Sequence, residues 1–302
     1  MTASLSPSLA VQTLGRFQLK RILGRGAQGV VWLGFDPLLE CEVAIKNIHN
    51  LGSDAQALQR WLDEAREVSR LSHPRIVPAL EAGVDAGRAY LVFERVSGLT
   101  LDQYLRQLGA LDDKTAVTMM LDVLAALGHA HAAGVIHRNL KPANILLNEN
   151  GLPRVMDFGM AHIGDILNIT NITTPTDSPS ALDTHDLRLL GTLNYMAPEA
   201  LRGGTPVAAM DVFSAGLVFY EMLTGQPAIV ETDPYRAINR LAHEDLALPS
   251  TLPYPIDETL RAIVNRALAR DLAVRFDTAD ELHHALSEWQ KIHDEIAKTI
   301  SA

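Results

Sequence analysis

Three clusters of residues have the types and spacing needed to handle a phosphorylated ligand. The first is a glycine-rich segment in which Gly24, Gly26 and Gly29 form a G-x-G-x-x-G pattern. Because glycine has no Cβ, backbone N–H groups of such a segment can approach phosphate oxygens closely. Residues 30–36 continue as a strand, whereas a dinucleotide-binding fold requires a helix at that point. The first cluster therefore predicts a glycine flap between two strands.

A lysine in an apolar strand and a glutamate on the next helix form the second cluster. Lys46 ends the run Val43–Lys46, and an ammonium in apolar surroundings needs an anionic partner. Glu64 lies on a segment with helical periodicity that opens at Ser53, with Gln56 as its capping-box partner. A Lys–Glu pair can be purely structural. Behind a glycine flap, it would direct the ammonium at phosphates.

The third cluster combines possible metal ligands with a second cation. Residues 137–144 read His-Arg-Asn-Leu-Lys-Pro-Ala-Asn, and residues 157–159 read Asp-Phe-Gly. The amide of Asn144 and the carboxylate of Asp157 offer the hard oxygen ligands that Mg²⁺ prefers. Lys141 can neutralise charge on a phosphoryl group during transfer. These residues predict phosphoryl-transfer chemistry that depends on a metal.

The segments around these clusters divide the chain into a strand-rich beginning and a helical remainder. Short alternating runs bounded by turn residues predict strands at 17–24, 30–36, 42–48, 76–82 and 89–94. Apolar residues at helical spacing predict helices at about 53–71, 112–134 and 209–223, with further helices up to about 298. A small sheet-rich lobe followed by a larger helical lobe is therefore expected.

The composition excludes several classes of protein. The 302 residues include 26 basic and 36 acidic side chains, a formal net charge of −10, which argues against a nucleic-acid partner. The single cysteine, Cys41, excludes a disulfide framework. The sequence contains no run of about 18 apolar residues, so it predicts no membrane segment in this chain, and we expect a cytoplasmic protein. A continuation past Ala302 into a membrane anchor would tether the natural protein.

Across about residues 17–290, the order of these motifs resembles the protein kinase superfamily, and within it the bacterial Hanks-type Ser/Thr kinases. Lys141, and Gly191-Thr192 before the run Tyr195–Glu199, are typical of Ser/Thr rather than Tyr kinases. The resemblance implies an α+β fold with two lobes, a small antiparallel sheet with one helix and a larger mainly helical part. The implied divisions are an extension 1–16, an N-lobe 17–96, a C-lobe 97–290 containing an activation segment 157–199 that is flexible at about 163–187, and a C-terminal helix end 291–302.

The resemblance also implies a role for each matched position, with ATP and Mg²⁺ as the cofactors. Residues implied to contact the phosphates or their lysine are Gly24, Gly26, Gly29, Lys46 and Glu64. Asn144 and Asp157 would hold Mg²⁺. Residues implied at the adenine are Leu23, Val31, Ala44, Leu146 and Met156, with Phe93 as gatekeeper and Glu94 and Val96 as the hinge. Implied architectural residues are Asp211, which would tie down the catalytic loop, the ion pair Glu199–Arg275, and the packing residues His137 and Phe158.

The chain departs from the family pattern at position 139, where Asn139 replaces the aspartate that accepts the proton of the substrate hydroxyl. Asparagine is nearly isosteric with aspartate but cannot take a proton at neutral pH. General-base assistance contributes roughly 10²–10⁴ in rate, so we expect poor phosphate transfer with nucleotide binding retained. Three explanations fit: an engineered Asp→Asn substitution, a natural pseudokinase acting as a nucleotide-binding scaffold or switch, and a natural enzyme with a rearranged base. The first is favoured because every other catalytic position is intact.

The resemblance further implies regulation through the activation segment. Arg138 precedes the base position, and an arginine there can bind a phosphorylated residue of the segment. The expected acceptors are Thr170, Thr173, Thr174 and Thr176, with Ser178, Ser180 and Thr184 as further hydroxyls. Thr192 is instead expected to bond position 139 and Lys141. The implied partners are protein substrates and a second copy of the chain, which would phosphorylate this one in trans.

Overall fold

The computed structural model describes residues 12–26, 29–48, 55–159, 191, 193–231 and 233–301. Over these residues the chain forms two compact units. One contains residues up to 69 together with 78–95, and the other contains 70–77 together with everything from 96 onward. The expected α+β architecture is confirmed, because the first unit is a small antiparallel sheet with one helix and the second is mainly helical. The detailed limits of the expected lobes stay a prediction.

The first unit is a six-stranded sheet in the order β1-β2-β3-β4-β6-β5, with every neighbouring pair antiparallel. A hydrophobic cluster on one face of the sheet includes Phe17, Ile45 and Val92, each almost fully buried. Its elements are β1 (Thr13–Leu14), β2 (Phe17–Gly26), β3 (Gly29–Asp36), β4 (Cys41–Ile48), α1 (Ala55–Ser69), β5 (Ala79–Asp85) and β6 (Arg88–Glu94).

Several boundaries in this unit differ from the sequence-based expectation, and two of the differences change which residues pair. Thr13–Leu14, expected within an extension, pair with β2 as an edge strand. The strand expected to begin at Ile76 begins at Ala79, because Ile76 forms a parallel bridge with Val155 of the second unit. Proline at position 78 has no N–H to donate, which separates these two pairings.

The second unit is built from helices with a three-stranded antiparallel sheet β7-β8-β9. Among the described residues, no helix combines the length and apolar composition that crossing a bilayer requires. Its elements are β7 (Leu99–Thr100), α2 (Leu101–Leu108), α3 (Asp113–Ala132), a 3-10 turn (Pro142–Asn144), β8 (Ile145–Leu147), β9 (Pro153–Val155), α4 (Pro198–Leu201), α5 (Ala208–Thr224), α6 (Pro234–His243), α7 (Glu258–Ala267) and α8 (Ala279–Ser301).

Helix α5 lies at the centre of the second unit, packed against α3, α7 and α8. It is buried on nearly every side, which is why its sequence is apolar all round rather than amphipathic. Three of its buried residues are nevertheless polar, namely Asp211, Ser214 and Glu221. Buried polar groups need hydrogen-bond partners, so these three side chains indicate specific attachments to neighbouring loops.

Candidate active site

The glycine-rich segment joins β2 to β3, as the sequence predicts. Gly26 lies opposite Gly29, and Gly24 lies opposite Val31. Gly29 has φ +152°, and a Cβ there would lie 1.9 Å from the carbonyl oxygen of Asn47, so only glycine fits. Among the described residues, a Cβ at Gly24 would meet nothing within 4 Å, and one at Gly26 would meet a carbonyl oxygen at 3.9 Å. This open space is suited to the close approach of a phosphate chain.

Lys46 occupies the middle of the sheet, with only 5% of its surface exposed. It lies on β4 directly opposite Val31 of β3 and Leu91 of β6. Residues directly opposite one another share a face of the sheet, and alternate residues of a strand return to it. Ala44 and Phe93, which pair with each other, therefore lie on the same face as Lys46. The sheet thus brings one cation and three apolar residues of the expected adenine site onto one surface.

Two further expected residues of the first unit lie within α1 and β2. Glu64 is half-buried on α1, beside the buried stripe of Trp61, Ala65 and Val68. Leu23 lies in a bulge of β2 and is 36% exposed. The expected pairing of Glu64 with Lys46 stays a prediction.

In the second unit, Asp211 of α5 holds the start of residues 137–144, which we call the catalytic loop after the role that the resemblance implies. Its carboxylate accepts hydrogen bonds from the backbone N–H of His137 at 2.7 Å and of Arg138 at 2.9 Å. It also accepts one from Nε2 of His131 at 2.8 Å. Three donors stabilise a carboxylate that is only 1% exposed, and they hold Arg138 at φ +64°, a backbone region that few non-glycine residues adopt.

The loop is fixed a second time through the imidazole of His137. Its Nδ1 accepts from the backbone N–H of Asn139 at 3.2 Å, so Nε2 carries the proton and donates to the carbonyl of Met156 at 3.0 Å. Burial lowers the pKa of His137, which keeps this ring neutral. Its ring centroid lies 4.6 Å from that of Phe158. His137 therefore positions the loop, consistent with the packing role expected for it.

The expected metal ligands lie on two stretches of the second unit, Asn144 on the same loop and Asp157 just after β9. The amide Nδ2 of Asn144 donates to the carbonyl of Asn139 at 2.8 Å, which leaves Oδ1 as the atom suited to a cation. The backbone carbonyl of Asn144 accepts from Met156 N–H at 3.0 Å, one residue before Asp157. Asp157 itself has φ +66°. An amide oxygen and a carboxylate on these two linked stretches fit the ligand preferences of Mg²⁺.

Asn139 is half-buried at the centre of this arrangement, and its backbone is held on both sides. Its side chain has the shape of aspartate but no charge, so it can orient a hydroxyl without accepting its proton. Lys141 is half-buried at the N-cap of the 3-10 turn, where its carbonyl accepts from Asn144 N–H at 2.9 Å. The loop thus holds an amide at position 139, where the resemblance implies a charged base.

The end of the activation segment is attached to the same central helix. Ser214 Oγ donates to the carbonyl of Tyr195 at 2.8 Å, and the Tyr195 hydroxyl donates to the Glu221 carboxylate. Burial raises the pKa of both Tyr195 and Glu221. Ser214, Glu221 and the anchoring histidine His131 belong to none of the motifs recognised in the sequence. The available signal was a polar residue inside an otherwise apolar helix.

Glu199 and Arg275 form the ion pair that the resemblance implies, with Arg275 buried and Glu199 half-buried. The guanidinium contacts both carboxylate oxygens, at 2.6 and 3.2 Å, and also donates to the carbonyl of Ala209 at 3.0 Å. Val96 is buried in the second unit, and Leu146 is half-buried on β8. Of the expected regulatory residues, Arg138 is described, at the start of the loop. The others lie outside the described residues: Thr170, Thr173, Thr174, Thr176 and Thr192, together with the rest of 163–187.

Comparison with known proteins agrees with this geometry. The model of the protein kinase domain matches residues 17–287. The chain is 32% identical over 272 residues to the serine/threonine-protein kinase PrkC of Bacillus subtilis, covering 89% of this chain and 39% of that protein. It is 34% identical to the serine/threonine-protein kinase PknB of Mycolicibacterium smegmatis, covering 88% of this chain and 42% of that protein. The chain therefore spans about two fifths of the length of these curated relatives. By the extent of the family match, the chain belongs to the protein kinase family.

Proposed function

We propose that this chain is a Mg²⁺- and ATP-dependent Ser/Thr protein kinase domain whose phosphoryl transfer is limited by Asn139. The observation that carries the proposal is the intact attachment of the catalytic loop. Asp211, His137 and Asn144 hold the backbone on either side of Asn139, as a loop with a catalytic aspartate would need. The names of the similar proteins support serine and threonine as the acceptors.

In this function the first unit binds phosphates through backbone and charge. The open space at Gly24 and Gly26 admits phosphate oxygens to backbone N–H groups, and Lys46 supplies a cation from the sheet. In the second unit, Asn144 Oδ1 and the Asp157 carboxylate would hold the metal. When bound, Mg²⁺ neutralises charge on the phosphates.

The substrate hydroxyl would be oriented rather than deprotonated by position 139. The side-chain oxygen of Asn139 accepts a hydrogen bond from the substrate hydroxyl. The hydroxyl oxygen forms a bond to the γ-phosphorus of ATP, while the bond from that phosphorus to the ADP oxygen breaks. Lys141 stabilises the negative charge on the transferred group. Because position 139 is an amide rather than a carboxylate, the hydroxyl proton passes to the phosphate or to water. Phosphoryl transfer is therefore slower than it would be with a carboxylate base.

Regulation by phosphorylation of the activation segment in trans belongs to the same proposal. The segment 170–184 is rich in hydroxyl side chains, and Arg138 is an arginine adjoining the catalytic position. A phosphothreonine offers an arginine several charge-assisted hydrogen bonds. Because the backbone N–H of Arg138 is bonded to Asp211, a phosphate paired with Arg138 would act directly on the catalytic loop.

A second candidate function is favoured by Asn139 itself. A chain that retains its nucleotide- and metal-binding residues but lacks the base can serve as a nucleotide-dependent scaffold or switch. Such a module would act through protein contacts that change when Mg·ATP binds.

The experiment that separates these functions is Asn139→Asp. Phosphate incorporation into a generic protein substrate should rise at least about a hundredfold, while calorimetric Mg·ATP affinity should change little. The matched control carries Asp157→Asn in addition, and it should lose the activity gained. An Asn139→Asp protein that binds Mg·ATP as tightly as the parent but transfers no phosphate would reject the enzyme and favour the scaffold.

A further inference from the structure

A pair of stacked histidines fastens the connection between α1 and β5. The ring centroid of His73 lies 5.2 Å from that of His129 on α3, with 28° between the ring planes. Two residues on, Nε of Arg75 lies 2.8 Å from a carboxylate oxygen of Asp122, also on α3. The segment 70–77 is thus attached to α3 by one aromatic contact and one ion pair.

The hydrogen bonding of His73 requires its neutral form. Nδ1 accepts from the backbone N–H of Arg75 at 3.1 Å, so that nitrogen carries no proton. Burial lowers the pKa of His73, the neighbouring His129 and Arg75 lower it further, and the Asp122 carboxylate opposes them. Arg154 of β9 also faces the segment, donating to the carbonyl of Ile76 at 3.1 Å. Two basic residues and one carboxylate from other elements therefore contact segment 70–77, which itself carries Arg75 beside this imidazole.

The same segment is bonded to the strand that leads to a metal ligand. Val77 N–H donates to the carbonyl of Val155 at 2.9 Å, and Val155 N–H donates to the carbonyl of Arg75 at 2.8 Å. Asp157 follows Val155 by two residues. At the other end, Ser69 is the last residue of α1, the helix that carries Glu64. Movement of 70–77 would therefore reach both β9 and the end of α1 through the backbone.

We propose that the His73–His129 stack attaches segment 70–77 to α3 and that this attachment is lost in acid. Protonation of His73 places an N–H on Nδ1 against the N–H of Arg75 and brings a second positive charge beside Arg75 and His129. The segment then separates from α3 and β9 while the unit stays folded.

The direction of the effect follows from proton linkage. Because the pKa of His73 is lowered in the attached state, the released state binds more protons. The attachment is fully present above the usual histidine pKa near 6.5 and is lost as the pH falls below it. Neither conclusion requires catalysis, so the inference stands apart from the proposed function.

Amide hydrogen exchange of the full chain tests the attachment, with rates corrected for the intrinsic effect of pH. Between pH 7.5 and 5.5, protection of the amides at 75–77 and of the Val155 amide should fall at least about threefold in the parent protein. His73→Asn keeps an oxygen that accepts from the N–H two residues on but does not titrate, so its protection should stay constant. His129→Phe keeps a stacking ring without the charge and should show a smaller fall than the parent.

The matched control is His284→Gln, an exposed histidine on α8, which should behave as the parent does. The affinity for fluorescent ADP with Mg²⁺ gives a second readout. It should fall between pH 7.5 and 5.5 in the parent and in His284→Gln, and it should fall less in His73→Asn and His129→Phe. The inference would be overturned if protection at 75–77 did not fall in the parent. It would also be overturned if protection fell as much in His73→Asn and His129→Phe as in the parent.

Discussion

The carboxylate of Asp211 lies 2.7 Å from the backbone nitrogen of His137, which joins the central helix of the second unit to the loop that carries Asn139. The same helix bonds the end of the activation segment through Ser214 and Glu221. Helix α5 is buried on nearly every side and therefore cannot shift without disturbing the core. It sets the position of the catalytic loop and of the segment end at once.

Asp211→Asn should lower activity by at least about tenfold in the Asn139→Asp background and lower the free energy of unfolding by about 2 kcal/mol. The physical reason is that three donors converge on this carboxylate. An amide offers them one neutral oxygen, and its NH₂ group would face an N–H donor in place of the second acceptor oxygen. Steady-state kinetics and urea unfolding measure both effects. The exposed Asp294→Asn on α8 is the control and should change neither. Unaltered activity in Asp211→Asn would remove the anchoring role.

Lys46→Met should abolish phosphoryl transfer in the Asn139→Asp background while leaving the melting temperature nearly unchanged. Methionine fills a similar volume on the buried face of β4 but offers no charge to orient phosphates. Lys20→Met, at an exposed lysine paired with Glu42 at 3.0 Å, should retain activity. A large loss of stability in Lys46→Met would instead mean that Lys46 is mainly structural.

Glu221→Gln should make the protein at least as stable as the parent at pH 8, with the difference shrinking at pH 5. Burial raises the pKa of Glu221 above its ordinary value of 4.5, so the folded state binds more protons than the unfolded state. The parent therefore loses stability as the pH rises through that shifted pKa. Glutamine still accepts the hydrogen bond from Tyr195 but carries no charge to bury. Urea unfolding at both pH values measures the difference.

Glu288→Gln on α8 provides the control of opposite sign for this pH dependence. Lys291 lowers the pKa of Glu288, so removal of this carboxylate should not stabilise the protein at pH 8. A Glu221→Gln protein that is less stable than the parent at pH 8 but not at pH 5 would contradict the argument.

The Asn139→Asp form should carry phosphate on one or more residues of 170–184 after incubation with Mg·ATP, and the Asn139 form should remain largely unmodified. Mass spectrometry of both forms checks the sites, and a rate that rises with enzyme concentration distinguishes transfer in trans. As a direct control, the Asn139→Asp form is mixed with an Asn139 form of altered mass, which should become phosphorylated if transfer occurs in trans. Phosphate found only outside 157–199 would exclude the regulatory role of this segment.

The amino-acid sequence alone determines the order of the motifs, most strand and helix positions and the α+β architecture. Local patterns carry this information: alternation marks β3 and β4, while Asp112 and Gly225 mark helix ends. Departure from the pattern at Asn139 is also visible in the sequence, because the motif around it is otherwise complete. These features depend on residues a few positions apart.

The tertiary structure alone decides which distant residues meet. His131 and Asp211, Tyr195 and Glu221, and His73 and His129 each join separate elements. Assignment of 70–77 to the second unit likewise depends on pairing with Val155, far along the chain. Helical and strand periodicities report only whether a residue faces inward. The partner it meets there is set by how whole elements pack, because a buried polar group must find whichever donor or acceptor the fold brings beside it.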